Sequence, residues 1–141
     1  MTHSLTYERT LAAAPETVFE AWTDPKVMAE WFGPEAVRTE IETFDLTVGG
    51  AYRLVMRGEG DFWLSGRFVA IEPSRRLALT WKWDHGEDET TVEVSFRPNG
   101  AGTHMTVVHT GFGTEEDQTR HDEGWTSTWR ALDTCLTARA A

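Results

Sequence analysis

The stretch EDQTRHDEGWTSTWRALDTCLTAR, residues 116–139, decides the fold. Trp125, Trp129, Leu132 and Leu136 recur at i, i+4, i+7 and i+11 with Cys135 beside them, so one helical face carries a continuous apolar stripe. Thr114 stands three residues before Asp117, the spacing of a capping box, and Glu115, Glu116 and Asp117 complement the helix dipole. The spacing predicts one long helix over 116–139. Gly124 inside it costs about 1 kcal/mol relative to alanine, which predicts close packing against another element there. A helix with one apolar face needs a surface to cover.

The chain before it supplies that surface. From residue 36 to residue 110 the apolar period is 2, in segments 36–47, 50–57, 62–72, 76–84, 90–98 and 102–110. Gly49-Gly50, Gly58-Glu59-Gly60-Asp61, Pro73-Ser74, Asp84-His85-Gly86 and Pro98-Asn99-Gly100 mark turns between them. Connections this short favour an antiparallel meander. Alternation assigns an inner face to Tyr52, Leu54 and Met56, then to Leu77, Leu79, Trp81 and Trp83. Val92, Val94 and Phe96 follow, and then Met105, Val107 and His109. In 62–72 the inner set is Leu64, Gly66 and Phe68, against the opposite parity of Trp63, Val69 and Ile71.

Upstream, residues 3–11 alternate as a short strand. Pro15 suits a first helical turn, with Val18, Phe19 and Trp22 on one face. Asp24-Pro25 repeats the start signal for a second short helix carrying Val27, Met28, Trp31 and Phe32, stopped by Gly33-Pro34. The order is strand, two short helices, six strands, one long helix. The expected class is α+β, with a strongly curved antiparallel sheet gripping the terminal helix.

Composition bounds the function. The 141 residues suit one domain over 1–141, 40% hydrophobic and 26% charged. Thirteen basic against 23 acidic side chains leave a formal charge of −10. Nucleic acid and anionic membrane surfaces are therefore not expected partners, because no basic stripe exists to displace phosphate counterions. One cysteine, Cys135, excludes a disulfide scaffold and a thiolate metal cluster. MTHSLTYERT lacks the apolar core of a signal peptide and no apolar run reaches spanning length, so the cytoplasm is the expected location. Seven tryptophans and seven phenylalanines must be packed or must line something.

Several segments carry a resemblance. Pro15-Glu16-x-Val18-Phe19-x-Ala21-Trp22-Thr23-Asp24-Pro25 is similar to the opening signature of START-like (SRPBCC) proteins of helix-grip fold. Trp31-x-x-Pro34, Val48-Gly49-Gly50, Tyr52-Arg53-Leu54, Gly66 and Ile71-Glu72-Pro73 follow in order. So do Leu79-Thr80-Trp81, Gly102-Thr103-x-Met105-x-Val107-x-His109-Thr110-Gly111-Phe112 and Gly124-Trp125. The chain most resembles the branch of homologues of the activator of the heat-shock chaperone ATPase. The resemblance implies a cavity between curved sheet and long helix, taking apolar or amphipathic small molecules, with a minority of enzymes. Ala14 departs from the usual capping serine or aspartate. The separate N-terminal domain of true chaperone activators is lacking, so the family name does not carry chaperone activation over to this chain, and the sequence itself does not support a chaperone partner.

The expected cavity wall is Met28, Trp31, Phe32, Tyr52, Leu54, Met56, Leu64, Phe68, Leu79, Trp81, Trp83, Phe96, Met105, Val107, His109, Trp125, Trp129 and Leu132, with Val92 on the same face. The competing reading is a filled core, because periodicity gives direction but not empty volume. Tyr52, His109 and the indole N–H groups of Trp81 and Trp83 are the candidates to orient a ligand's polar end, or to bond core neighbours.

Other chemistry has little support. His104 and His109 lie on opposite faces of one strand and cannot share a metal. Asp117 and His121, four apart, read as an exposed salt link, and the acidic run 84–89 as a solvated turn. No G-x-S-x-G elbow or phosphate loop is present. No catalytic residue, metal or cofactor is expected. The preferred function is binding of an apolar or aromatic small molecule. One alternative is a hydrolase or cyclase using His109 with Tyr52 in the same cavity. Another is an interaction module, such as a chaperone partner or a homodimer joined through exposed aromatic residues, with Trp63 and Val69 as its patch.

Overall fold

The computed structural model describes residues 3–140. Its elements run β1 (His3–Leu11), α1 (Pro15–Thr23), α2 (Pro25–Trp31), β2 (Arg38–Phe44), β3 (Ala51–Arg57), β4 (Asp61–Glu72), β5 (Arg76–Trp83), β6 (Thr90–Asn99), β7 (Gly102–Phe112) and α3 (Glu115–Ala140). The class is α+β with a long C-terminal helix, as the periodicity and the resemblance implied. All seven strands join one antiparallel sheet in the order β1-β7-β6-β5-β4-β3-β2, so β2 to β7 are successive hairpins. The first strand closes against the last, and β1 and β2 form the edges.

Local signals explain the helix ends. Pro15 opens α1 behind Ala14, whose side chain makes no capping bond. Asp24 caps α2 by accepting from the Lys26 N–H at 3.0 Å. In α3 the Thr114 hydroxyl accepts from the Asp117 N–H at 3.1 Å. Gly124 departs from the expected close packing. A Cβ there would meet Pro34 Cγ at 3.7 Å, an ordinary contact.

β2 is shorter than 36–47. Its expected end folds into a turn, where the Asp45 N–H reaches the Ala51 carbonyl and the Gly50 N–H the Thr47 carbonyl. The mixed parity of β4 has a physical cause. The register with β5 shifts between Phe68 and Ala70, and Val69 is the extra residue, 51% exposed. Leu64 and Phe68 are buried before the bulge, and Ile71 packs on the core after it. Such a bulge bends and twists its strand, which suits a sheet wrapped around a helix.

The sheet grips more than α3. Trp22 of α1 and Trp31 of α2 lie between sheet and helix, with ring centroids 4.8 Å apart. Trp22 reaches Trp125 of α3 at 6.1 Å, and the Trp31 indole N–H donates to the Ala21 carbonyl at 2.9 Å. Leu132 and Leu136 are buried on the same helix face. Burial of each leucine is worth roughly 1.5–3 kcal/mol. On the rim, Arg9 of β1 pairs with Asp133 of α3 at 2.7 Å, and the Tyr7 hydroxyl donates to Asp122. In the middle of the grip, beside Tyr52, Phe68 and Leu79, only about 10 Å³ stays empty. That is at the lower limit for a single water.

Candidate functional site

A wider space lies at one end of the grip. A cleft of about 380 Å³ opens between the β5–β6 hairpin, the first turns of α3 and the Phe32-Gly33-Pro34 bend after α2. Its walls are Phe32, Met56, Trp81, Trp83, Phe112 and Trp125. Trp81 sits at the centre of this wall, 5.6 Å from Phe32, 5.7 Å from Trp83 and 5.5 Å from Trp125 between ring centroids. His85, Glu87, Asp88, Asp117 and Arg120 surround the mouth. A broader depression of about 540 Å³ lies between α2, β2 and the second half of α3, among alanines and the charged ends of Glu30, Arg38 and Arg130. Trp31 and Phe32 are its aromatic side chains, against five around the cleft.

Two hydrogen-bond chains brace the cleft. In the first, the Trp125 indole N–H donates to His109 Nδ1 at 3.0 Å. Nδ1 is thus the lone pair, and Nε2–H faces the Thr90 hydroxyl at 2.7 Å. That hydroxyl in turn donates to the Trp81 carbonyl at 3.3 Å. In the second, the Trp83 indole N–H donates to His121 Nε2 at 2.9 Å, which leaves Nδ1–H for the Asp117 carbonyl at 2.8 Å. Both imidazoles are therefore neutral. Burial, aided by the neighbouring His121, pushes His109 down to about 2. Burial also lowers His121.

The structure divides the residues singled out from sequence. Phe32, Met56, Trp81, Trp83 and Trp125 line the cleft. Met28, Tyr52, Phe68, Leu79 and Val92 surround the 10 Å³ void together with Phe32 and Trp81. Trp31, Leu54, Leu64, Phe96, Met105, Val107, Trp129 and Leu132 are packed in the core. His109 is fully buried behind Thr90 and Trp125. Tyr52 donates its hydroxyl to the Thr80 carbonyl at 2.5 Å, so no hydrogen bond joins it to His109, and burial raises its phenol. An acid–base pair made of these two has no geometry to work from. Trp63 is half-buried under the Arg53 guanidinium, which lies 4.5 Å from its ring. Among the described residues, no three His, Cys, Asp or Glu side chains converge as a metal site.

Thr90, Phe112 and His121 were not among the residues expected to line the cavity. His121 was legible: it stands four residues before Trp125 and so shares the helix face. The exposed salt link read there is not what forms, because His121 bonds the Asp117 backbone carbonyl rather than its carboxylate. Phe112 falls on the wrong parity from His109. It is turned inward after Gly111, whose φ is +102°, where β1 and β7 slip register.

The family described as Activator of Hsp90 ATPase homolog 1-like protein matches residues 12–137. The chain belongs to this family. Among solved structures, the AHSA1 protein of Silicibacter pomeroyi is 32% identical, with TM-score 0.85, 97% of this chain covered and 99% of that one. A protein of Chromobacterium violaceum has TM-score 0.87 at 24% identity, over 94% of this chain and 96% of the other. CalU16 of Micromonospora echinospora has TM-score 0.75 at 23% identity, over 99% and 79%. At those identities the last two show the fold alone. No curated protein shows a significant match. The fold of the Activator of Hsp90 ATPase homolog 1-like family is compatible with ligand binding. No helix among the described residues is long and apolar enough to cross a membrane.

Proposed function

We propose that the protein binds a small apolar or aromatic molecule in the cleft between the β5–β6 hairpin and the start of α3. The observation that carries this reading is the contrast in space: about 380 Å³ inside an aromatic wall at the end of the grip, against about 10 Å³ in its middle. Small-molecule sites commonly occupy about 300–1,000 Å³, are mostly apolar and hold a few placed polar groups. The polar group here is the Trp81 indole N–H. Among the described residues it is one of three buried, unpartnered indole N–H groups, with those of Trp22 and Trp129, and of the three residues only Trp81 lines the cleft, whereas Trp83, Trp125, Tyr52 and His109 spend their donors inside the protein. With a formal charge of −10, the partner we propose is a metabolite of the cytoplasm rather than a nucleic acid.

NMR of the indole N–H signals, titrated with benzyl alcohol and indole, tests this. The Trp81 and Trp83 signals are expected to shift and saturate, and Trp83→Leu to weaken binding about tenfold, the loss of one well-packed aromatic contact. Shifts that never saturate, or that map only to the Arg38–Arg130 depression, would refute it.

A further inference from the structure

We infer that the cleft selects organic cations: a ligand with an aromatic or apolar body and an ammonium group at its outer end. The inference rests on the cleft being the binding site, and it assigns the charge of the occupant.

The argument begins with what surrounds the mouth. Glu87 and Asp88 come from the β5–β6 hairpin and Asp117 from the first turn of α3. Among the described residues, none of these three carboxylates has an ion-pair partner, although ten arginine–carboxylate ion pairs occur on the surface. Of the basic side chains nearby, Arg120 lines the cleft and Lys82 does not. Arg120 donates to Glu116 at 2.6 Å. Lys82 is turned onto the Gly86 carbonyl at 3.1 Å and lies outside the cleft. His121 accepts from Trp83 on Nε2 and so carries no charge. His85 lies against Trp83 and Phe62, with centroids 5.6 Å from each. Three unpaired carboxylates against one guanidinium, itself paired with Glu116, leave the mouth net negative.

The wall inside that mouth gives the second, independent half of the argument. Trp81, Trp83 and Trp125 present indole surface, and indole is the best side chain for holding a cation over its ring face. Aromatic walls below and carboxylates above form the cage that recognises alkylated ammonium groups. An anionic ligand of the same shape meets the three carboxylates with only Arg120, already paired with Glu116, to offset them.

Calorimetric titration with benzyltrimethylammonium, benzyl alcohol and phenylacetate tests the charge of the occupant at nearly constant shape. The cation is expected to bind about tenfold tighter than the alcohol, and phenylacetate weakest. The preference is expected to fall when salt rises from about 20 mM to about 500 mM, since exposed charges are screened. In the triple variant Glu87→Gln, Asp88→Asn, Asp117→Asn, its fold checked by circular dichroism, the cation and the alcohol are expected to converge within about twofold. Equal affinity of the three probes, or a preference for phenylacetate, would overturn the charge assignment and leave the cleft standing as a binding site. A cation preference that survives both salt and the triple variant would equally overturn it. If none of the three binds, the cleft itself is lost as the site.

Discussion

Trp125 and His109 are joined edge to ring: the indole N–H of the helix residue donates to Nδ1 of the strand residue at 3.0 Å. This bond fixes the imidazole tautomer. It turns Nε2–H toward Thr90 and makes the back of the cleft one directional chain ending on the Trp81 carbonyl. Every donor in the chain has an acceptor, so removing one link leaves a buried N–H unsatisfied. Thr90→Val keeps the shape and removes the acceptor. It is expected to lower stability by about 1–3 kcal/mol, the desolvation penalty of an orphaned donor. Urea denaturation at neutral pH measures it, with an unchanged slope showing that the denatured state is not the cause.

The same histidine makes the protein sensitive to mild acid. His109 is neutral when folded and held down to about 2 by burial and by the adjacent His121, while in the unfolded chain it titrates near its ordinary 6.5. The unfolded state therefore binds the extra proton between these two values, and stability falls as pH drops below 6.5. It is complete above that pH. Well below 6.5 the slope approaches about 1.4 kcal/mol per pH unit for this one group, and His121, also lowered, adds in the same direction. Denaturation midpoints at pH 7, 6 and 5 are expected to decline, and His109→Gln to flatten the decline. An equal decline in the variant would remove His109 as its source.

Gly124 is a helical glycine with room beside it. An alanine Cβ there meets only Pro34 Cγ, at 3.7 Å. Gly124→Ala is expected to stabilise α3 by about 1 kcal/mol through backbone entropy alone. The melting temperature should rise by roughly 3 °C for a chain of this size. Because Gly124 also lines the cleft, calorimetry on the same variant reads whether the added methyl crowds the ligand.

Gly66 gives the opposite result. A Cβ built there would lie 2.0 Å from the Thr80 carbonyl oxygen and 2.5 Å from Tyr52 Cε2, one of them backbone in the neighbouring strand. Gly66→Ala forces β4 and β5 apart and disturbs the bond from the Tyr52 hydroxyl to that same carbonyl. A loss of about 3 kcal/mol is expected, as for an overpacked core, read by thermal or urea unfolding.

The fold was legible because its signals are periodic. The stripe Trp125, Trp129, Leu132, Leu136 and the alternation of residues 50–110 each fix which side a residue faces. The exceptions are places where a backbone irregularity resets the count. The bulge at Val69 and the left-handed Gly111 each change parity, and neither can be placed from alternation alone. The site was less legible. Sequence gives direction but not volume: Leu79 and Trp81 share one strand face, yet Leu79 borders only the 10 Å³ void while Trp81 also reaches the cleft. What decides between them is the insertion of α1 and α2 into the middle of the grip, a tertiary event that no strand or helix pattern encodes.

The sheet order carries a kinetic consequence. Leu5 pairs with His109 and Tyr7 with Val107, so the first strand of the sheet in chain order hydrogen-bonds with the last. Hairpins β2 to β7 can zip in the order they are made, but β1 waits for about a hundred residues of synthesis before its partner exists. Closing so long a loop is what slows folding in sheets of high contact order. Until then the nascent chain exposes an unmatched strand and the aromatic faces of α1 and α2.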